Sequence, residues 1–376
     1  MIFWIFLCVV FCIVGTYAGY TLLCRTAAQR GRTHVKSLYF SSVTLLICAY
    51  NEEAVLPKKM EDIAKIDYPE EKLKILFVND NSTDRTRQVI LEAIPESRFE
   101  MEVIDSEYPR GKTNALNYAY GRLSTEITFQ TDADTFLHPQ AVRELVQNFA
   151  DPNVGGANGA IRIYSSKPEG QLARHEDLYR KFYDLWRKGE SAIDSISICN
   201  GCIIAFRTAL VRDVRLRSMA DDTELLFEVI RKGKRVVYDD SALAYETIPT
   251  KASERFFQKM RRSKGLFQVY LRNIRLLGKG RFGRIIFPFV LAQICVIPYL
   301  FFVGTALYIW LSAMNPLWLL LLVGFFVPKL NTTLLNVGVT QLQLALSPFH
   351  RTGAWRMMKS SRDGRSPHPE VGREPR

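Results

Sequence analysis

Apolar and polar positions divide the chain into two apolar regions that flank a middle region of mixed pattern. Residues 1–24 contain no charged residue, and a second apolar block extends from about residue 285 to residue 346. A helix of about 20 apolar residues is long enough to cross a bilayer. The pattern therefore predicts a transmembrane helix at 1–24 and a transmembrane region of about two spans at 285–346, interrupted by polar positions near Pro328.

The middle region, from Val43 to about Glu246, alternates strand patterns with helix patterns. Short apolar runs predict strands, and the longer amphipathic stretches between them predict helices. The predicted strands are 43–48, 73–78, 101–104 and 127–130, and the predicted helices are 52–66, 83–93 and 113–123. Repeated strand–helix units predict an α/β fold with a mostly parallel sheet flanked by helices.

Acidic and polar residues directly follow three of these strands. Ala49-Tyr50-Asn51 follows the first strand, Asp80 follows the second, and Asp132 and Asp134 follow the fourth. Ligands bind parallel sheets at the carboxyl ends of the strands. Alternate residues of an extended chain point to the same side, so the two aspartates can converge on one divalent cation that also holds phosphate oxygens. A turn that merely ends the strand is the alternative, because Asp is common in turns.

Two other classes of site are disfavoured by the sequence. It has no glycine-rich phosphate loop of the P-loop or dinucleotide-binding type, which argues against ATPases and dehydrogenases. The seven cysteines form no disulfide framework, and the single C-x-x-C at Cys199–Cys202 lacks the second pair that a zinc site would need.

The formal net charge of +12 is concentrated beside the apolar regions. Basic residues accumulate on the cytoplasmic side of membrane helices. We therefore expect a basic linker at 25–42, a basic and disordered tail at 347–376, a cytoplasmic middle domain and an N-terminus outside. Residues 251–284 combine apolar positions at helical spacing with many Lys and Arg, which predicts amphipathic helices at the membrane interface. The expected partner is a membrane with anionic headgroups, not a nucleic acid.

Six short motifs between residues 43 and 270 resemble, in order and spacing, those of glycosyltransferase family 2. They are Cys48–Glu53, Val78–Asp84, Arg110–Asn117, Thr131–Asp134, Ala220–Leu225 and Phe257–Gly265. The resemblance implies a GT-A fold at 43–250, within the membrane-bound branch of cellulose and hyaluronan synthases. It also implies a metal site for Mg²⁺ or Mn²⁺ at Asp132 and Asp134.

The resemblance also assigns roles to individual residues. It implies nucleotide binding by Ala49, Tyr50, Asn51, Glu52, Asp80, Lys112 and Asp132. Asp222 takes the place of the family's general base, and Gly201 lies in the loop that borders the acceptor site. Gln258 and Arg261 match the Q-x-x-R-W segment, and we expect them, with Arg262, to contact the diphosphate or the acceptor.

Three positions depart from the family pattern, and one motif allows another interpretation. Asn79 and Asn81 replace the more usual Asp and Gly, and Arg262 replaces the Trp that supports the acceptor sugar in processive members. The Arg suggests that the acceptor carries a phosphate. Asp221-x-x-Glu224 also has the form of a helix capping box, so Asp221 is expected to cap while Asp222 points into the site.

The resemblance implies a membrane-bound, metal-dependent, inverting glycosyltransferase. We expect it to pass one sugar from a nucleotide sugar to a lipid-linked acceptor of the dolichol or polyprenyl phosphate type. Similarity to archaeal membrane mannosyltransferases of lipid-linked glycan assembly suggests GDP-mannose as the donor and a role in N-glycan biosynthesis. The alternatives are a processive polysaccharide synthase of the hyaluronan, chitin or cellulose type and a catalytically inactive membrane scaffold.

Overall fold

A mixed sheet forms the centre of the computed structural model, which describes residues 1–31, 33–163, 171–217, 219–246, 252–318 and 328–349. Within these residues the strands are β1 (Val43–Ala49), β2 (Leu73–Asn79), β3 (Glu100–Asp105), β4 (Ile127–Asp132), β5 (Phe136–Leu137), β6 (Val154–Ile163), β7 (Ile204–Arg207) and β8 (Arg235–Glu246). Their order in the sheet is β3-β2-β1-β4-β7-β6-β8-β5.

Helices precede, separate and follow these strands along the chain. They are α1 (Ile2–Ala28), α2 (Leu56–Ala64), α3 (Thr86–Ala93), α4 (Lys112–Tyr120), α5 (Ala141–Val146), α6 (Gln171–Ile193), α7 (Thr208–Val211), α8 (Asp221–Arg231), α9 (Ala252–Arg272), α10 (Phe287–Cys295), α11 (Ile297–Met314) and α12 (Pro328–Leu346). Helix α2 begins later than predicted, with Pro57 in its first turn, where a missing N–H costs no helix hydrogen bond.

The parallel part of the sheet consists of β3, β2, β1 and β4. Strands β7 and β5 pair antiparallel to their neighbours, whereas β6 and β8 are parallel to each other. Nearly every residue of β1, β2 and β4 is buried, as expected for strands covered on both faces. The prediction of an α/β, mostly parallel sheet is confirmed.

The register of the parallel strands aligns their carboxyl ends. Cys48 of β1 pairs with Asp132 of β4, and Ala49 pairs with Asn79 of β2. The residues that follow β1 and β2, and the aspartates at the end of β4, therefore emerge at one edge of the sheet. This edge is where ligands bind open α/β sheets.

Residues of the predicted basic linker pack on the same unit as the sheet. The Lys36 ammonium lies 2.6 Å from carboxylate oxygens of both Glu144 and Asp239. His34 Nε2 lies 2.7 Å from Asn148 Oδ1. Because Asp239 is almost completely buried, Lys36 supplies the opposite charge that a buried carboxylate needs.

The chain folds as two compact units. Residues 26–254 belong to the unit with the sheet, and residues 1–25 and 255–349 belong to the other. Among the described helices, α1 and α11 are long and apolar enough to cross a membrane, judged by length and composition. In the second unit Gln341 donates to the Tyr17 hydroxyl (3.2 Å), and a Cβ at Gly304 would stand 3.2 Å from Val9.

The predicted membrane region at 285–346 is interrupted in the structure. Helix α10 ends at Cys295 and α11 begins at Ile297, with Pro298 in its first turn. A proline cannot donate to the preceding turn, so it favours a break at this point. Residues 319–327 lie outside the described residues, as do residues 350–376 of the predicted tail. The third crossing and the disordered tail stay predictions.

Close packing at Gly159 of β6 gives a test of the core. An added Cβ would lie 2.5 Å from Ile203 Cδ1 and 2.7 Å from the Ala242 carbonyl oxygen. We expect Gly159→Ala to reduce the free energy of unfolding by about 1–3 kcal/mol, because the backbone oxygen must move. Denaturant unfolding of the purified protein measures the change.

Gly121→Ala is the matched control. Gly121 has φ −63°, and no atom lies within 4 Å of an added Cβ. The control should change the free energy of unfolding by less than about 1 kcal/mol, and in the stabilising direction. Equal effects of the two substitutions would contradict the packing described for β6.

Candidate functional site

Asp80 joins three loops at the carboxyl edge of the sheet. Its backbone N–H donates to the Ala49 carbonyl (2.8 Å), and its two carboxylate oxygens accept from the Gly111 N–H at 3.0 and 2.8 Å. Asp80 is 4% exposed. Burial raises the pKa of Asp80, although the Gly111 N–H and the charge of Arg110 partly offset this effect.

The segment after β1 is fixed by the segment after β2. Asn51 Oδ1 accepts from the Thr83 N–H (2.7 Å), and the Asn51 N–H donates to Ser82 Oγ (3.1 Å). The Glu52 N–H donates to Thr86 Oγ1 (2.7 Å). These bonds hold Asn51 and Glu52, two of the predicted nucleotide-binding residues, beside Asp80.

Both asparagines at these strand ends adopt left-handed backbone conformations. The φ angle is +53° at Asn51 and +57° at Asn81. Gly adopts this conformation most readily, and Asn is among the few other residues that tolerate it. The replacement of the family's Gly by Asn81 therefore preserves the backbone geometry of the loop.

Arg110 and Tyr50 join the loop before α4 to the loop after β1. The Arg110 guanidinium lies 5.0 Å from the centre of the Tyr50 ring, and its Nη1 donates to the Tyr50 hydroxyl (2.8 Å). The structure thus brings Tyr50, Asn51, Glu52, Ala49 and Asp80 together, as expected of residues that bind one nucleotide.

Lys112, at the start of α4, forms an ion pair with the first aspartate of the D-x-D. Its Nζ lies 2.5 Å from Asp132 Oδ1. Burial alone would lower the pKa of Lys112, but the charges of Asp132 and Asp221 outweigh burial and raise it. The ammonium therefore stays charged, beside the position predicted for the phosphates.

Asp134 is the more crowded of the two aspartates. Burial raises the pKa of Asp134 to about 6, and the charges of Asp132 and Glu246 act in the same direction. A cation bound between Asp132 and Asp134 would relieve this repulsion. Two carboxylates suit Mg²⁺ or Mn²⁺, which commonly take their other oxygen ligands from water and substrate phosphates. Within the described residues no group of three or more His, Cys, Asp and Glu is arranged to hold a metal.

Asp222 lies in the first turn of α8, next to Gly201. A Cβ added at Gly201 would stand 3.4 Å from Asp222 Oδ2 and 3.5 Å from Gln130 Nε2. The Thr223 N–H donates to Asp222 Oδ1 (2.6 Å). The predicted base and the predicted acceptor loop are therefore adjacent.

The capping-box prediction for Asp221 is wrong. Ala220 is the N-cap of α8, with no side-chain capping bond, and the Glu224 carboxylate accepts from the Arg217 N–H (2.8 Å). Asp221 instead accepts from Gln130 Nε2 (3.3 Å). It is turned towards β4 because Gln130 offers a buried amide donor there.

Gln130 is a site residue that the sequence analysis missed. Its Oε1 accepts from the Tyr120 hydroxyl (2.9 Å), and its Nε2 bonds to Asp221. It precedes Asp132 by two positions on β4 and so shares its side of the strand. This two-residue spacing is the sequence pattern that could have identified Gln130 as a third polar residue in line with Asp132 and Asp134.

The predicted acceptor loop around Gly201 is held by polar side chains from three elements. Asn158 of β6 donates to the carbonyls of Asn200 (3.0 Å) and Ile203 (2.7 Å). Arg187 of α6 donates to Asn200 Oδ1 (3.1 Å), and Thr131 of β4 donates to the Cys202 carbonyl (2.8 Å). The loop is thus fixed relative to the strand that carries Asp132.

The two cysteines of the C-x-x-C motif are buried core residues. Both Cys199 and Cys202 are buried and carry free thiols. Burial raises the pKa of the Cys199 thiol well above its usual range, which keeps it protonated and unreactive.

The remaining predicted residues lie on α9, in the other compact unit. Gln258 and Arg261 are half-buried, and Arg262 is exposed. Their contacts with a diphosphate or acceptor stay predictions.

A family comparison agrees with this arrangement. Residues 44–214 match the model of "Glycosyl transferase family 2", the range that contains the strand-end residues, the D-x-D and the acceptor loop. This range of the chain belongs to glycosyltransferase family 2. The chain also resembles a solved mannosyltransferase from Pyrobaculum calidifontis, in complex with GDP-Man and Mn²⁺, with a TM-score of 0.74 and 23% identity. The match covers 91% of this chain and 97% of that one, which establishes the shared GT-A fold.

Curated relatives include poly-beta-1,6-N-acetyl-D-glucosamine synthases of Staphylococcus aureus (strain COL) and Staphylococcus epidermidis. Identity to this chain is 25%, over 236 and 240 residues respectively. The matched part is 61% of this chain and 56% of each synthase. The chain therefore spans little more than half the length of the curated relatives it matches.

The left-handed conformation at Asn81 predicts different effects for two substitutions. Both Asn81→Gly and Asn81→Ala remove the hydrogen bond from Asn81 Nδ2 to the Tyr108 carbonyl (3.0 Å). Only Ala adds a Cβ that disfavours this backbone. We expect Asn81→Ala to be less stable than Asn81→Gly by about 1 kcal/mol, measured by denaturant unfolding. An Ala variant as stable as the Gly variant would refute the backbone explanation.

Proposed function

We propose that this protein is a membrane-bound, metal-dependent, inverting glycosyltransferase that passes a single sugar from a nucleotide diphosphate donor to a lipid-linked acceptor. The observation that carries the proposal is the grouping, at one edge of the sheet, of nucleotide-side, metal-side and acceptor-side residues. The nucleotide side is represented by Asp80, the metal side by the Lys112–Asp132 pair, and the acceptor side by the adjacent Asp222 and Gly201.

The donor side binds and orients the nucleotide sugar. Asp80 and the Tyr50–Glu52 segment hold the nucleoside, with Ala49 at the end of β1. Asp132 and Asp134 hold Mg²⁺ or Mn²⁺, which supplies positive charge to the diphosphate when bound. Lys112 donates a charged hydrogen bond to phosphate oxygens. We expect Arg261, as a second cation, and Gln258, as a neutral amide, to contact the diphosphate or the acceptor.

The acceptor side performs the proton transfer. Asp222 accepts the proton of the acceptor hydroxyl as its oxygen forms a bond to the anomeric carbon. The bond from that carbon to the diphosphate oxygen breaks, the nucleoside diphosphate leaves with the electron pair, and the configuration inverts. Gly201 keeps the space beside Asp222 open because it has no side chain, and cationic donors stabilise the leaving diphosphate.

The proposed donor is GDP-mannose, with Mn²⁺ or Mg²⁺. Support comes from the Pyrobaculum calidifontis mannosyltransferase, whose solved structure contains GDP-Man and Mn²⁺. The proposed acceptor is a dolichol or polyprenyl phosphate-type glycan in lipid-linked oligosaccharide assembly, because exposed Arg262 replaces the Trp of processive members. We place the catalytic unit on the cytoplasmic side of the cell membrane and the N-terminus outside, on the basis of the flanking basic residues.

A processive polysaccharide synthase is the second candidate. It is favoured by the curated relatives, which are named as poly-beta-1,6-N-acetyl-D-glucosamine synthases. Product length distinguishes the two candidates. A processive synthase would make a polymer, whereas the first candidate adds a single sugar.

A donor panel tests the proposal. The full-length protein is incubated with membrane lipid extract, Mg²⁺ or Mn²⁺, and GDP-mannose or UDP-sugars, and lipid products are identified by mass spectrometry. We expect one hexose to be added from GDP-mannose, and the product to disappear when the metal is chelated. Asp222→Asn should lower turnover by about 10²–10⁴-fold, because the proton acceptor is lost, while GDP binding persists. Transfer that survives this substitution or needs no metal would overturn the mechanism.

Arg262 provides the test of the acceptor. If it binds an acceptor phosphate, Arg262→Ala and Arg262→Trp should both raise the acceptor KM several-fold with little change in kcat, because binding energy common to ground and transition states is lost. Arg272→Ala, at another exposed position of α9, is the control for general loss of positive charge. Unchanged KM in both Arg262 variants, or an equal rise in the control, would contradict this role.

A further inference from the structure

Strand β5 begins two residues after Asp134 and is the last strand of the sheet. One side of β5 pairs with β8, through Phe136 with Tyr245 and Leu137 with Ala244. Among the described residues no strand pairs with its other side. The backbone groups of an edge strand need other partners where they are buried.

Helix α2 and the turn after it provide those partners. Lys59 Nζ donates to the Thr135 carbonyl (2.5 Å), and the Asp62 carboxylate accepts from the Leu137 N–H at 3.1 and 3.0 Å. The Asp67 N–H donates to the Pro139 carbonyl (2.8 Å). Residues 135, 137 and 139 alternate along the chain, so their backbone groups face one side, as they would towards a neighbouring strand.

A helix that only covers the edge strand β5 would not need a buried lysine such as Lys59. Lys59 is completely buried, and its ammonium lies 3.3 Å from Asp62. Lysine is almost never fully buried unless it is paired, and apolar residues of similar volume often replace a buried ion pair without loss of stability. The ammonium is needed where a charged donor must hold a particular acceptor, here the Thr135 carbonyl.

That carbonyl belongs to the turn that carries both metal-binding aspartates. The Thr135 N–H donates to the Asp132 carbonyl (3.3 Å), which closes the turn over Asp134. Strand β4 fixes one end of the turn through its pairing with β1. The other end is fixed by Lys59 and Asp62.

We propose that Lys59 and Asp62 are positioning residues that set the place of Asp134 for cation binding. Lys59 holds the turn at Thr135, and Asp62 both neutralises Lys59 and holds Leu137. Neither residue touches the cation or the donor. The inference rests on the proposed function only in requiring that Asp132 and Asp134 bind a divalent cation.

The double substitution Lys59→Met with Asp62→Asn separates positioning from stability. It removes both charges together, and the Asn Oδ1 can still accept from the Leu137 N–H, whereas the donor to Thr135 is lost. We expect the variant to fold with an unfolding midpoint near that of the native protein. Mn²⁺ affinity, measured by electron paramagnetic resonance in the presence of GDP and separately of UDP, should fall about tenfold, as expected for loss of one charged hydrogen bond.

Lys58→Met with Glu61→Gln is the matched control. It removes a Lys and a Glu at the same spacing on the outer side of α2, where Lys58 is half-buried and Glu61 is exposed, and it should leave Mn²⁺ affinity unchanged. Lys59→Met alone leaves Asp62 as an unpaired buried carboxylate and should lower the unfolding midpoint clearly.

The outcomes distinguish this inference from the proposed function. Failure of the native protein to bind Mn²⁺ with either nucleotide would count against the metal-dependent mechanism itself. Native binding of Mn²⁺ with equal affinity in the Lys59/Asp62 double variant would overturn only the positioning role. A loss of affinity equal to that of the control pair would overturn it as well.

Discussion

Parallel pairing of β1 with β2 and β4 is the constraint on which the site depends. Buried backbone groups must be hydrogen-bonded, so the register of these strands is fixed, and Cys48 aligns with Asp132 as Ala49 aligns with Asn79. A slip of one residue would turn Asp132 to the opposite face. The apolar strands therefore determine where the polar chemistry at their ends can act.

Charge balance explains why this edge suits a cation and a diphosphate together. The charges of Asp132 and Asp221 raise the pKa of Lys112, whereas burial and the charges of Asp132 and Glu246 raise the pKa of Asp134. A divalent cation would reduce the repulsion between carboxylates and would in turn attract phosphate oxygens. Carboxylates that are costly to place together would thus favour a cation between them.

The sequence predicted β1, β2 and β4 well because these strands are buried on both faces and read as nearly continuous apolar runs. The four parallel strands, including the partly exposed edge strand β3, were located to within two residues of their ends. Strands β6, β7 and β8 were not assigned, and β6 carries Gly, Ala and Asn from Gly155 to Ala160, a stretch without the branched residues typical of strands. Close packing selects the small residues there, since a Cβ at Gly155, Gly156 or Gly159 would meet side chains below 3 Å.

By itself, the sequence determined the family, the α/β fold and the candidate residues Asp80, Lys112, Asp132, Asp134 and Asp222, because these follow short local motifs in a fixed order. Only the tertiary structure decided which distant groups meet. Gln130 bonds to Asp221, 91 positions away, and Lys59 holds Thr135, 76 positions away. The fold brings such partners together from separate elements, and the local sequence pattern does not show which elements will meet. The capping-box prediction failed for this reason, since a buried amide from another strand competed for Asp221.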